Sequence, residues 1–156
     1  MKILITYFSA SGRTKNAAWL IKEATDGVVE EIIPKEKYTK EDLNWNNKTS
    51  RSSIEMQDIT NRPEIENSID ISNYDVIFLG YPIWWYTAPR IINTFLEKYD
   101  KDKIIIPFCT SGGSEITGSI NDLKNTYKDY NFKRGIRITE YDDVNKIKDI
   151  IKGVIN

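Results

Sequence analysis

Histidine is absent and cysteine occurs once, as Cys109. Without an imidazole the chain lacks both the commonest general base and the commonest metal ligand, which removes serine-histidine, cysteine-histidine and histidine-metal chemistry. A lone cysteine cannot close an intramolecular disulfide. Neither sign of charge is in excess, since 22 basic side chains stand against 23 acidic ones for a formal net charge of -1. That balance offers no broad field to a nucleic acid, an anionic membrane or a basic partner, and no nucleic acid is expected as a partner. Apolar runs of about eighteen residues are missing, as is an N-terminal stretch joining basic residues to an apolar run and a cleavage site, so no membrane span is expected and the cytoplasm is the default location. Internal repeats and low-complexity tracts are missing too.

What is present is an alternation of two periodicities. The chain has 156 residues, a length that suits one domain with a core between two helical layers, and a single domain over 1–156 is expected. Residues 2–8 form a nearly unbroken apolar run, after which Ala17, Ala18, Leu20, Ile21 and Ala24 recur at helical spacing. Residues 28–33 read as a weaker strand carrying Glu30 and Glu31, and 74–79 as a strand buried on both faces. In 89–99 the positions Ile91, Ile92, Phe95, Leu96 and Tyr99 make one stripe, with Pro89 in the first turn. A buried strand over 104–109, a helix marked by Ile116, Ile120, Leu123 and Tyr127, a last strand over 132–138 and a terminal helix from Val144 to Val154 complete the series.

Strands alternating with helices in this way predict an α/β fold, a three-layer α/β/α sandwich around a five-stranded parallel sheet, because parallel neighbours need crossovers and right-handed crossovers put helices on both faces. The first, third and fourth strands are the most continuously apolar and belong in the centre, while the charged second and fifth belong at the edges, which predicts the order 2-1-3-4-5. Pro107, in a central strand, lacks a ladder donor, so a bulge or the end of pairing is expected there. Between about 35 and 73 the pattern dissolves into a charged stretch rich in Asn and Ser, an irregular insertion that is long for a connection, with a helix possible inside 40–57. Trp19 points off the apolar stripe of the first helix, toward either this insertion or a partner surface.

Three loops carry the chemistry. Ser9-Ala10-Ser11-Gly12-Arg13-Thr14 joins the first strand to the first helix. Unpaired amides and a partial positive charge at a helix start hold a phosphate, the hydroxyls of Ser9, Ser11 and Thr14 add donors, and Gly12 permits close approach. A single hydroxyl here would read as an ordinary cap; three around one glycine indicate an anion site. The loop is neither G-x-x-x-x-G-K-[ST] nor G-x-G-x-x-G, so a terminal monophosphate fits better than a nucleoside triphosphate or a dinucleotide. After the third strand comes Gly80-Tyr81-Pro82-Ile83-Trp84-Trp85-Tyr86-Thr87-Ala88-Pro89, whose aromatic rings suit a flat heterocycle or else pack over the sheet end. After the fourth comes Thr110-Ser111-Gly112-Gly113-Ser114, a flexible source of backbone hydrogen bonds. All three follow strand ends beside the predicted reversal of strand order, where ligands bind in open α/β sheets.

These residues resemble the flavodoxin-like family across essentially the whole chain, and the 9–14 loop matches its [ST]-x-[ST]-G-x-T phosphate motif in full. The resemblance implies bound flavin mononucleotide (FMN), with Ser9, Ser11, Gly12, Arg13 and Thr14 at the phosphate and Pro82, Ile83, Trp84, Trp85, Thr110, Ser111, Gly112 and Gly113 around the ring. It implies an electron-transfer protein that serves redox partner proteins. Two features depart from the long-studied carriers: the charge is near zero, and no glycine lies between Tyr81 and Ala88 to let a peptide reorient beside the flavin. The Pro-x-Trp-Trp-x-x-x-Pro arrangement is also similar to that of flavin quinone reductases of the same fold, so an NAD(P)H-dependent reductase of a quinone-like acceptor or a flavin is the alternative. Receiver and phosphatase domains share the architecture but not the residues: the first strand is followed by hydroxyls rather than carboxylates, and Cys109 meets Glu115 where a C-x5-R loop needs arginine. Cys109 is expected to be a buried small hydrophobe.

Overall fold

A computed structural model describes residues 1–99, 102–111, 113 and 115–155. The strands are β1 (Ile3–Tyr7), β2 (Val28–Glu31), β3 (Val76–Pro82), β4 (Ile104–Thr110), β5 (Asn131–Phe132) and β6 (Ile136–Arg137). The helices are α1 (Arg13–Thr25), α2 (Arg51–Gln57), α3 (Arg90–Glu97), α4 (Thr117–Thr126) and α5 (Val144–Ile155). All pairings within the sheet are parallel, in the order β2-β1-β3-β4-β5, with β6 also pairing with β4.

Alternation along the central strands divides the core in two. Leu4, Ile77, Leu79 and Tyr81 face one side, where Ile91, Ile92, Phe95 and Leu96 of α3 and Ile120 and Leu123 of α4 cover them. Ile5, Tyr7, Phe78, Ile106 and Phe108 face the other, under Ala17, Ala18 and Ile21 of α1 and Ile147, Ile151 and Val154 of α5. The three-layer sandwich follows directly from these two apolar faces. Among the described residues no helix is long and apolar enough to cross a membrane.

The expected single strand over 132–138 is two short pieces, and Pro107 explains the break. Ile105 pairs with Phe132 and Phe108 with Ile136, so three residues of the edge strand stand opposite two of β4, a one-residue bulge. The carbonyls of Ile105 and Cys109 accept from Lys133 and Ile138. Odd-numbered residues of β4 therefore face the edge strand, and the donor that Pro107 lacks is missing on that side only; the ladder with β3 runs unbroken through Leu79 and Pro107.

The insertion after β2 is pinned at several points. Its neck is an antiparallel bridge between Pro34 and Ile65, with Lys35 N–H donating to Glu64 O and Glu66 N–H to Ile33 O. Asn67 finishes the edge of β2 by accepting from Ile33 N–H and donating to Glu31 O. The side chain of Arg90, buried under the segment, donates to the carbonyls of Glu55 and Met56 at the end of α2. Ile69 and Ile71 enter the core on the α3 side. The segment thus packs on the face opposite α1, and Trp19, for which it was one expected neighbour, stays about half exposed.

Candidate functional site

Gly12 is the N-cap of α1, with φ 94° and ψ −13°, and no side chain of its own can cap the helix. A built Cβ would meet nothing within 4 Å, so glycine is required here by the backbone angle and not by crowding. Ser9 Oγ accepts from Gly12 N–H at 3.0 Å and from Lys15 N–H at 3.3 Å. A hydroxyl oxygen gathered by two amides at a helix start is the neutral counterpart of a phosphate oxygen, and the first-turn amides of α1 add to the same positive end. Ser11 and Arg13 are exposed beside them. The Thr14 hydroxyl is buried and lies 2.8 Å from Thr110 Oγ1, a contact that braces the end of β4 against α1.

The strand-three loop does not present its two indoles as one platform. Trp84 turns inward, its ring 5.7 Å from Phe8 and 5.5 Å from Tyr38, and the Phe8 and Tyr38 rings are 5.4 Å apart, all three edge-on to one another. Trp85 is 45% exposed and Tyr86 79%. Between them the chain reverses in a two-residue hairpin, with Trp84 N–H donating to Thr87 O at 2.9 Å and Thr87 N–H to Trp84 O at 3.0 Å. Both turn residues are left-handed, Trp85 at φ 49° and Tyr86 at φ 65°. Left-handed backbone at a residue with a Cβ costs about 1–2 kcal/mol. Pro82 ends β3, and Ile83 packs against the α3-side core while its N–H donates to Thr110 O.

From β4, Thr110 is buried on Thr14, and Ser111 Oγ accepts from Arg137 Nε at 3.0 Å. Gly113 has open space where a Cβ would stand, whereas Gly112 and Ser114 lie outside the described residues. Cys109 is fully buried, and burial pushes its thiol up to about 12, which leaves it a neutral packing group.

Two cavities flank the loop between β1 and α1. One of about 300 Å³ is lined by residues of the loop and of the chain after β2, including Phe8, Ser9, Lys37 and Tyr38. The other, about 470 Å³, lies between α1 and the chain after β6, including Arg13, Thr110, Ser111 and Arg137. Neither is lined by residues 82–85. Tyr38, Phe8 and Arg137 were not singled out from sequence. Tyr38 in particular comes from the insertion, where Glu55 accepts its hydroxyl at 2.5 Å and the Arg51 guanidinium lies 3.7 Å above its ring. Burial and the Glu55 carboxylate raise its pKa, so it remains a neutral donor. Lone aromatics in a polar stretch were the only available signal. Among the described residues no cluster of His, Cys, Asp and Glu could hold a metal ion.

The profile of the flavodoxin family matches residues 2–153. Among solved structures, a protein of Bacteroides eggerthii assigned as a flavoprotein is 47% identical, with 99% of this chain and 98% of that one covered and a TM-score of 0.96. Another so assigned, from Bacteroides uniformis, is 44% identical over 97% of each chain at a TM-score of 0.92. A flavoprotein of Lactobacillus acidophilus, solved in complex with FMN, is 25% identical over 95% of this chain and 97% of its own at a TM-score of 0.75. No functionally curated protein matches the chain.

Proposed function

The chain belongs to the flavodoxin family, and on that premise we propose that it binds one FMN at the loops after β1, β3 and β4 and transfers electrons through it. The observation that carries this reading is the start of α1, where a left-handed Gly12 and the amides that Ser9 gathers form an anion cradle beside two further loops at the carboxyl ends of central strands. The relative solved with FMN adds support.

Ser9, Ser11, Gly12 and Arg13 would hold the phosphate, with Thr14 keeping the cradle against β4 through Thr110. Pro82, Ile83, Trp84 and Trp85 would bound the ring on one side, and Thr110, Ser111, Gly112 and Gly113 would offer backbone groups to its polar edge. Bound FMN supplies reversible one-electron and two-electron chemistry. The residues themselves orient it, exclude water with Phe8, Tyr38 and Trp84, and supply no nucleophile or titrating base. Redox partner proteins are the expected donors and acceptors. A cytoplasmic setting accords with a single, buried and unpaired cysteine.

A second reading, an NAD(P)H-dependent reductase of quinone-like acceptors or flavins, is favoured by the Trp84–Thr87 turn. Its two left-handed residues are closed by reciprocal hydrogen bonds and include no glycine, so a peptide there cannot turn over cheaply when one electron arrives.

Titration of the apoprotein with FMN, read by tryptophan and flavin fluorescence, is expected to show saturable quenching at one FMN per chain. A colourless protein with no quenching would sink the flavin reading. Anaerobic reductive titration of the holoprotein then separates the two roles. Accumulation of the one-electron-reduced form supports a carrier, and its absence together with sustained NAD(P)H oxidation by a quinone supports a reductase.

A further inference from the structure

The strain in the Trp85–Tyr86 turn needs a restraint outside the turn. A hairpin with both central residues left-handed is the type I′ form, which favours Asn-Gly and not two large aromatics. Such a conformation persists only where its surroundings over-determine it. The surroundings here are one face of α4. Thr87 Oγ1 donates to Asp122 Oδ2 at 2.6 Å. One helical turn earlier, a Cβ built on Gly118 would lie 3.4 Å from the Tyr86 carbonyl, so the turn rests closely on the helix at that point. Between these two positions Ser119 spends its proton on Ile116 O at 2.8 Å, and Tyr81 OH therefore donates to Ser119 Oγ at 3.0 Å. Helix α4 thus grips β3 and the loop after it, inside through Tyr81–Ser119 and outside through Thr87–Asp122. The same helix begins directly after the strand-four loop.

We infer that Asp122 is a positioning residue: its carboxylate holds the left-handed Trp85–Tyr86 turn against α4 and so keeps the strand-three loop in one arrangement, ready for a planar ring. This rests on the FMN reading for its consequence but not for its geometry. A hydrogen bond to a charged acceptor is the stronger kind, and a loop fixed in advance spares the ligand the cost of ordering it. Asp122 touches no reacting atom in this scheme; it acts through Thr87.

The test compares wild type with Asp122→Ala, Asp122→Asn, Thr87→Val and the Thr87→Val/Asp122→Ala pair. Each single removal of the bond is expected to weaken FMN binding about tenfold, with the far-UV circular dichroism unchanged. Asp122→Asn, whose amide oxygen still accepts, is expected to restore most of the affinity, and the double variant to bind no worse than either single one. Wild-type affinity in Asp122→Ala, or losses in the double variant that multiply, would overturn the inference. Should wild type fail to bind FMN, the functional reading fails alone, because the near-UV tryptophan spectrum of the apoprotein still reports on the turn. A spectrum altered in Asp122→Ala and Thr87→Val but kept in Asp122→Asn supports the clamp, and identical spectra in wild type and every variant refute it.

Discussion

Residue 12, in the loop after β1, and residues 85–86, in the loop after β3, both adopt a left-handed backbone, and they reach it by opposite means. In the loop after β1 a glycine takes φ 94° with empty space around its missing Cβ, so the conformation is available without help from elsewhere. In the aromatic turn a tryptophan and a tyrosine take φ 49° and 65°, and contacts with α4 some thirty residues later hold them there. One loop is local chemistry and the other is tertiary restraint. The difference suits the roles proposed for them: an anion cradle needs backbone amides and tolerates small side chains, whereas a ring site needs large aromatic surfaces whose backbone must then be constrained from outside.

Three variants would break or sharpen that contrast. Gly80 lies in β3 beneath both loops, and a Cβ there would come within 2.1 Å of the Phe108 ring, which is buried and cannot yield. Gly80→Ala is therefore expected to cost about 3 kcal/mol in urea unfolding and to disable both loops together. A wild-type midpoint would show that the strand can shift under them. Gly12→Ala acts on one loop only. With no clash to relieve, its cost is backbone strain of about 2 kcal/mol, and FMN affinity should fall more than about tenfold while the near-UV tryptophan spectrum is unchanged. An altered tryptophan spectrum would mean that the two loops are not separable in this way. The smallest effect has the opposite sign. Trp85→Asn combined with Tyr86→Gly matches the turn's own preference and is expected to stabilise the fold by about 1 kcal/mol, a rise in melting temperature of about 2–4 °C, while weakening FMN binding through loss of the indole. A lower melting temperature would show that the aromatic side chains contribute more in packing than their backbone costs.

Much of the fold was legible because it rests on period and composition. The apolar runs of β1, β3 and β4 and the stripes of α1, α3 and α5 define two core faces, and charges on β2 place it at an edge. Pro107 even announced its bulge, since a missing donor is a property of the residue itself; that the bulge falls on the edge-strand side follows from the register, which the proline does not encode. The insertion was illegible for the complementary reason. Its structure depends on single long-range bonds, such as Asn67 to the edge of β2 and Arg90 to the end of α2, and these leave no periodic trace.

The candidate site divides in the same way. The local geometry at Gly12 and Ser9 is of the kind a sequence carries, because a glycine and a hydroxyl before a helix act on amides next to them in the chain. That Thr14 also meets Thr110, 96 positions away, could not be read, because the contact exists only once α1 lies against β4. Trp84 and Trp85 are adjacent in sequence yet face different surroundings, one among Phe8 and Tyr38 and the other toward solvent. By itself, then, the sequence determined the layers and the strand order, which arise from interactions within a few residues or from repeating apolar faces. Only the tertiary structure decided that Tyr38 reaches the site, that Thr14 turns inward and that a strained aromatic turn rests on α4, because each of these depends on which distant side chain ends up as its neighbour.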